Sequence, residues 1–280
     1  MKDRWDVRIH RATELVSVYP FAAEGLQFYA QVAAFQKTFY SEIEKALEES
    51  ARISSDRPLR DELDLFLLLP RFSGFLSLIQ RIAPAPLARA SATLARMGPS
   101  GWQRAIESFW YGNLELTMDE GEQVSDDNAA VNSDRLLAWI FLQPYAEYLA
   151  NHREIAIVEG TPSTCPICAG RPVVGLLRSE GDGAKKSLVC MLCAHEWTFR
   201  RILCPACGEE REPQMAFYSA PEIAHVRVDV CDTCHTYLKT VDLTKTGLAV
   251  PVVDELATIP LDLWARDHGY VKWQINLMGI

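Results

Sequence analysis

At 280 residues, 49% of them hydrophobic, the chain is long enough to bury a sizeable core and to divide into more than one domain. The formal net charge is −9, and residues 165–240, which carry all eight cysteines, hold nine Lys plus Arg against nine Asp plus Glu. Cysteine ribbons often serve as nucleic-acid modules, but those need a basic surface, so the charge balance argues against a nucleic-acid role.

Residues 1–8 alternate charge and lack an apolar run, which is not the pattern of a signal peptide. The densest apolar stretches, 65–69 and 136–142, fall short of a bilayer span. A cytoplasmic protein with no membrane insertion is the expectation. Phe28, Val32, Phe35, Phe39, Ile43 and Leu47 recur at steps of three and four, one stripe of a long helix over about residues 23–52. Such an aromatic stripe reads most simply as core packing. Residues 61–69 and 72–82 read as two apolar helical pieces interrupted by Pro70, and 87–97 as a helix ended by Gly98 and Pro99. Residues 102–111 form a short helix with Ile106, Phe109 and Trp110 facing in.

Residues 112–134, with six carboxylates between Glu115 and Asp127, read as a hydrophilic turn region, either a solvated loop or a patch facing a partner. Ser133 or Asp134 is expected to cap a helix from Arg135 to about Asn151, with Leu136, Leu137, Ile140 and Phe141 buried and Pro144 kinking it.

The cysteines then arrive as four C-x-x-C pairs: Cys165 and Cys168, Cys190 and Cys193, Cys204 and Cys207, Cys231 and Cys234. Corresponding pairs lie 39 and 41 residues apart, so the segment is a duplicated ribbon. Two residues between cysteines make a knuckle that turns both sulfurs toward one ion while backbone N–H groups favour the thiolates. Two knuckles close a tetrahedral four-thiolate site with no open position. Sequential sites, Cys165/Cys168/Cys190/Cys193 and Cys204/Cys207/Cys231/Cys234, follow from the repeat, with interleaved pairing as the alternative. Disulfides suit small secreted domains, and a thioredoxin-like pair needs a single C-x-x-C in a βα setting. Cys231 to His235 also spells the haem-attachment string, but as the fourth member of a repeat it reads as a knuckle with His235 at the surface. Spacing alone makes zinc the default, and iron takes the same ligands.

Within the ribbons, 172–178 and 187–189 flank a turn at Gly181 and Gly183, and 214–219 and 225–230 flank Pro221, giving two hairpins. Residues 236–243 add a strand. Met191, Leu192, Trp197, Phe199 and Tyr237 are expected to cover the thiolates. In the tail, 255–267 shows Leu256, Ile259, Leu263 and Trp264 as an apolar face interrupted by Pro260, and Trp273, Ile275, Leu277 and Met278 are expected to pack back on the protein.

Four strings carry more than spacing: C-P-I-C-A-G-R-P from Cys165, L-V-C-M-L-C-A-H-E-W ending at Trp197, R-I-L-C-P-A-C-G from Arg201, and V-D-V-C-D-T-C-H-T-Y-L-K-T-V-D ending at Asp242. Together with V-V-D-E-L-A-T-I-P-L-D-L-W-A over 252–265 and Gly269-Tyr270, they resemble the formate dehydrogenase accessory protein family of FdhE type. The resemblance extends over the helical half, and all eight cysteine positions of its pattern are filled. Ala169, where a knuckle often has Gly, departs from it and is expected to shift the turn toward Gly170. The resemblance implies two rubredoxin-type iron sites, with zinc as the alternative, and a cytoplasmic protein acting on the catalytic subunit of a formate dehydrogenase.

The resulting expectation is an α+β chain. It has an N-terminal all-α domain (1–157), two tandem rubredoxin-like or zinc-ribbon four-cysteine modules (158–199 and 200–246) and a short C-terminal helical tail (247–280). No Gly-rich phosphate loop, nucleophile elbow or His-Glu-x-x-His string is present, so no catalytic residue and no small-molecule substrate is expected. The functional expectation is a non-catalytic accessory protein, with an iron–thiolate redox sensor or electron carrier as the alternative. Oligomeric state is left open.

Overall fold

The aromatic stripe of residues 28–47 lies on a 26-residue helix, α2 (Ala23–Glu48), where Phe28, Val32, Phe39, Ile43 and Leu47 are all buried. The computed structural model describes residues 4–48, 58–112, 126–153, 160–181 and 183–279. Before α2 comes a helix the sequence reading did not anticipate, α1 (Arg4–Val18). It is rich in Arg and weakly apolar, and it is fixed by Trp5, Ala12 and Leu15 against its neighbours. α3 (Leu65–Ile82), α4 (Ala85–Arg96), α5 (Gly98–Tyr111) and α6 (Asp126–Asn151) complete the helical part. Its core is aromatic: Phe141 of α6 stacks on Phe39 at 4.9 Å and meets Phe72 edge-on at 4.8 Å. Each such fully buried side chain stabilises the fold by about 1.5–3 kcal/mol. Residues 137–142 are all fully buried, so α6 is apolar around its whole circumference and runs through the middle of the helices.

Two helix boundaries differ from expectation. Residues 65–82 are one helix despite Pro70. Pro70 falls in the second turn at an exposed end, next to Phe66 at 96% exposure. The lost bond there is outweighed by burial of Leu68, Phe72, Phe75, Leu76 and Ile79. The true start signal is Asp64, whose carboxylate accepts the Leu67 N–H at 3.1 Å. At 18 residues, α3 is long and apolar enough to cross a membrane by length and composition, against the expectation of short stretches only; that set of five side chains is committed to the helical core. α6 begins at Asp126, so Ser133 and Asp134 lie inside it and do not cap it. No Gly or Pro stands between Asp126 and Gln143, and the buried half propagates the helix backward through polar sequence. The carboxylates at 115–122 of the expected turn lie outside the described residues.

The ribbons form β1 (Pro172–Glu180), β2 (Gly183–Cys190), β3 (Glu196–Phe199), β4 (Met215–Ser219), β5 (Val226–Cys231) and β6 (Thr236–Asp242). Both expected hairpins pair antiparallel, and β3, unread in the sequence, pairs with β2. The ribbons do not stand apart. They share one sheet in the order β3-β2-β1-β6-β5-β4, joined where β1 and β6 run parallel with Gly175 opposite Thr240. A Cβ at Gly175 would collide with the Thr240 hydroxyl, which is why the seam has glycine there.

The tail contributes α7 (Pro251–Ala257), α8 (Ile259–Asp267) and β7 (Val271–Lys272), the last parallel to β6. The helix breaks at Thr258, and Pro260 opens the second piece. The break resets the helical phase. Leu263, expected inside, is 51% exposed, while Asp254, Glu255 and Asp262 are buried. Trp273, Ile275 and Leu277 pack inward as expected, and Met278 reaches Gly25 on α2.

Candidate metal centres

Each ribbon brings its four sulfurs together by the same backbone device. A first knuckle precedes the hairpin, and a second follows the strand that ends on a cysteine, Cys190 in β2 and Cys231 in β5. In the first and third knuckles the chain closes on itself, Ala169 N–H to Cys165 C=O at 2.9 Å and Gly208 N–H to Cys204 C=O at 3.0 Å. The residue after each pair is left-handed: Ala169 (φ 60°), Ala194 (53°), Gly208 (78°) and His235 (55°). Ala169 therefore adopts the glycine-type conformation itself, and the expected shift toward Gly170 does not occur. A left-handed non-Gly residue costs about 1–2 kcal/mol, which the surrounding closure must outweigh.

The sulfurs fall into two groups, Cys165, Cys168, Cys190 and Cys193, and Cys204, Cys207, Cys231 and Cys234, with all four ligand atoms in each group within 4.8 Å of one another. Cys165 Sγ lies 3.5 Å from Cys193 Sγ, and Cys168 Sγ 3.3 Å from Cys190 Sγ. In the second group the matching distances are 3.7 Å (Cys204 to Cys234) and 3.6 Å (Cys207 to Cys231). A tetrahedral ion with metal–sulfur bonds near 2.3 Å spaces its ligands about 3.8 Å apart, so both groups fit one such ion each. Backbone N–H groups of Ile167, Gly170 and Leu192 point at Cys165, Cys168 and Cys190 sulfurs, each at 3.4 Å.

The electrostatics call for a cation. Hydrogen bonds from Cys168, Cys190 and Cys193 hold the Cys165 thiol far below its ordinary value. Burial pushes Cys190 well up, and the sulfur of Cys165 does the same for Cys193. Packed this closely, the sulfurs share negative charge among protons. A metal ion replaces those protons and allows four thiolates at once.

The two groups differ in cover. The first is buried throughout, at 1–3% exposure for every cysteine. α6 reaches it directly: Trp139 Nε1–H donates to the Met191 carbonyl at 3.0 Å, and the Gln143 amide donates to the same oxygen at 2.7 Å. Met191, Leu192, Trp197 and Phe199 are buried in the same apolar cluster as the four sulfurs. Tyr237, also expected to cover thiolates, lies in that cluster with its hydroxyl bonded to Asp262. The second group has Cys207 exposed and Cys234 half-buried. The Thr236 hydroxyl lies 3.0 Å from Cys234 Sγ and, against burial, holds that thiol below its ordinary value. His235 sits at the surface beside this knuckle.

Behind the sheet lies a polar cluster that sequence reading missed. Lys239 of β6 pairs with Asp262 at 2.5 Å and Glu255 at 3.0 Å, and Lys272 of β7 pairs with Glu255 at 2.5 Å and Asp262 at 2.9 Å. Tyr237 donates to Asp262, and Asn276 to Glu255. Burial pushes the Asp262 carboxyl up, but the two lysines outweigh it and hold it below its ordinary value. Farther out, Arg11 of α1 grips Asp254, which also meets His225 at 2.9 Å, tying the helical part to α7 and the second ribbon. Strand alternation puts Tyr237, Lys239 and Val241 on one face, which is the one sequence signal that Lys239 points inward.

Comparison with known proteins agrees with this architecture. Residues 164–201 match the family model described as FdhE, central domain, and residues 202–278 match FdhE, C-terminal domain. A protein FdhE homolog of Proteus mirabilis is 28% identical over 293 residues, covering 99% of this chain and 88% of that one. Residues 164–278 thus match the FdhE family, and the relatives that align over nearly the whole chain support it. This is the accessory family that the cysteine strings resemble. A homolog from Aquifex aeolicus is 31% identical over 141 residues, and there the chain spans only half the relative's length. The crystal structure of the FdhE protein from Pseudomonas aeruginosa shares the fold, with a TM-score of 0.68 at 22% identity over 99% of this chain and 96% of that one.

Proposed function

We propose that the chain is a non-catalytic accessory protein that binds the catalytic subunit of a formate dehydrogenase in the cytoplasm and supports its maturation or activity. The observation that carries this reading is the pair of closed four-cysteine groups set in one sheet, in a chain whose residues 164–278 match the FdhE family. Four thiolates leave no coordination position for a substrate, so the ions would organise a surface and perform no substrate chemistry. Cys165, Cys168, Cys190 and Cys193 would hold one ion, and Cys204, Cys207, Cys231 and Cys234 the other, with iron assigned by family resemblance. When bound, iron supplies a one-electron couple that zinc lacks. Exposure of Cys207 favours a second reading, in which the second site senses redox state.

Affinity capture from anoxic extract of the native host tests the main reading. Recovery of a formate dehydrogenase catalytic subunit is expected, and its clean absence beside another bound protein would overturn the assignment. Visible absorption of the anoxically purified chain separates coloured ferric thiolate from colourless zinc thiolate.

A further inference from the structure

The sheet has two ends, and they are built differently. At one end β3 is four residues long, turns Trp197 and Phe199 inward at 6% and 3% exposure, and carries an ion pair between Glu196 and Arg178. Shortness and edge charge are how sheets avoid pairing with another chain. At the other end β4 reads Met-Ala-Phe-Tyr-Ser, with no charge and no proline. No strand lies beyond it among the described residues, and Phe217 and Tyr218 are 61% and 43% exposed on its opposite faces.

The internal repeat indicates what such an edge can do. β4 corresponds to β1: each follows a first knuckle, and each pairs with a strand ending on a cysteine, Pro172 opposite Cys190 and Met215 opposite Cys231. β1 uses its other edge to accept β6 in parallel. The same edge of β4 is open.

Over one face of the sheet, reaching from β4 across β5 to Lys186 of β2, is a cleft of about 360 Å³, lined also by Met215, Phe217, Arg227 and Asp229 and by Arg201 and Ile202 from the segment between the ribbons. The Arg227 guanidinium lies 4.5 Å over the Phe217 ring. Lys186 and Arg227 share the Asp229 carboxylate, each at 2.7 Å. Exposed Glu212 also lines the cleft, while Arg201 has no ion-pair partner among the described residues. The lining thus carries three cations against two carboxylates, a net positive spot around an exposed aromatic ring in a chain of net charge −9, with Arg201 as its available cation.

We propose that β4 is a docking edge for an extended, acidic segment of a partner polypeptide, which adds in parallel as the next strand. The segment carries a carboxylate and an apolar side chain two positions apart, which puts both on one face about 6.6 Å apart. The carboxylate meets Arg201 and the apolar group covers Phe217 and Ile202. Main-chain bonds to a free edge supply affinity, and alternate side chains supply selectivity. A second copy fits less well: a two-fold β4–β4 pair gathers two copies of Arg201 and Arg227, and β3 keeps its apolar side chains buried. The inference rests on the accessory reading only for the identity of the client.

The test uses the full-length, metal-loaded chain and a fluorescein-labelled peptide, Thr-Glu-Thr-Ile-Thr-Glu-Thr, with a counterpart in which Lys replaces Glu. Fluorescence anisotropy is expected to show saturable binding of the acidic peptide, at least about tenfold tighter than the basic one. Phe217→Ser and Arg201→Glu, both at exposed positions, are each expected to weaken it about tenfold with metal content unchanged. Amide exchange over 215–219 should slow on peptide addition. Absence of saturable binding, or binding indifferent to both substitutions, overturns the proposal. So does a self-association by sedimentation that Phe217→Ser abolishes while no peptide binds, which assigns the edge to a second copy. Capture of the formate dehydrogenase subunit without peptide binding removes the edge and leaves the accessory role. Peptide binding without capture does the reverse.

Discussion

The two cysteine groups have the same ligands, the same C-x-x-C spacing and a left-handed residue closing each knuckle, yet they sit in different surroundings. The first lies under α6, with Trp139 and Gln143 bonded to the carbonyl between its own cysteines. The second faces solvent through Cys207 and keeps one hydroxyl, Thr236, against its half-buried Cys234. Duplication copied the ligand string but not the cover. What covers a thiolate decides how fast water, chelator or oxidant reaches it, so the two sites are expected to differ in lability more than in affinity.

The largest effect should come from removing a knuckle. Structural ions stabilise small four-ligand units by on the order of 10 kcal/mol. Cys190→Ser with Cys193→Ser is expected to lose one metal equivalent and to loosen α6 as well, because the Met191 carbonyl is its anchor. Cys204→Ser with Cys207→Ser should also lose one equivalent, together with client binding, while amide protection of β1, β2 and α6 survives. Equal loss of protection in both variants would erase the distinction between the sites.

Next is Asp262→Ala, which leaves buried Lys239 and Lys272 to share Glu255. Breaking a buried ion pair from one side costs about 3–5 kcal/mol. Denaturant midpoints should show that loss, and because β6 is the seam strand, both ribbons should be affected. Trp139→Phe removes one bond to the first site, about 1 kcal/mol, and should speed ion release there without changing the second site. The smallest effect is a gain. Ala169→Gly and Ala194→Gly relieve left-handed alanines and should each raise stability by about 1 kcal/mol. No change in thermal midpoint would mean the knuckle closure bears no strain.

Much of this was legible in the sequence because it is local. The knuckle strings, the hairpin turns at Gly181, Gly183 and Pro221, and the stripe from Phe28 to Leu47 are patterns within short windows. The seam between β1 and β6 was not legible, because it joins residues 65 apart in sequence, Gly175 and Thr240, through a pairing no local pattern marks. α1 was missed although Trp5, Ile9, Ala12 and Leu15 recur at helical spacing, because three arginines, Asp6 and Glu14 among them leave the stripe thin. Arg4, Arg8 and Arg11 are held by Glu147 and Asp254, far away in sequence. The buried faces of α7 and α8 were misread for a related reason. Asp254, Glu255 and Asp262 take inward positions that an apolar count gives to Leu263.

The most direct test of the difference between the sites is native mass spectrometry of the full chain during slow chelation, with alkylation of each cysteine mapped by peptide. Two ions per chain are expected at the start. The first to leave should expose Cys204, Cys207, Cys231 and Cys234 while Cys165, Cys168, Cys190 and Cys193 stay unlabelled. Fewer than two ions, or equal labelling of both groups at every time point, would contradict the account.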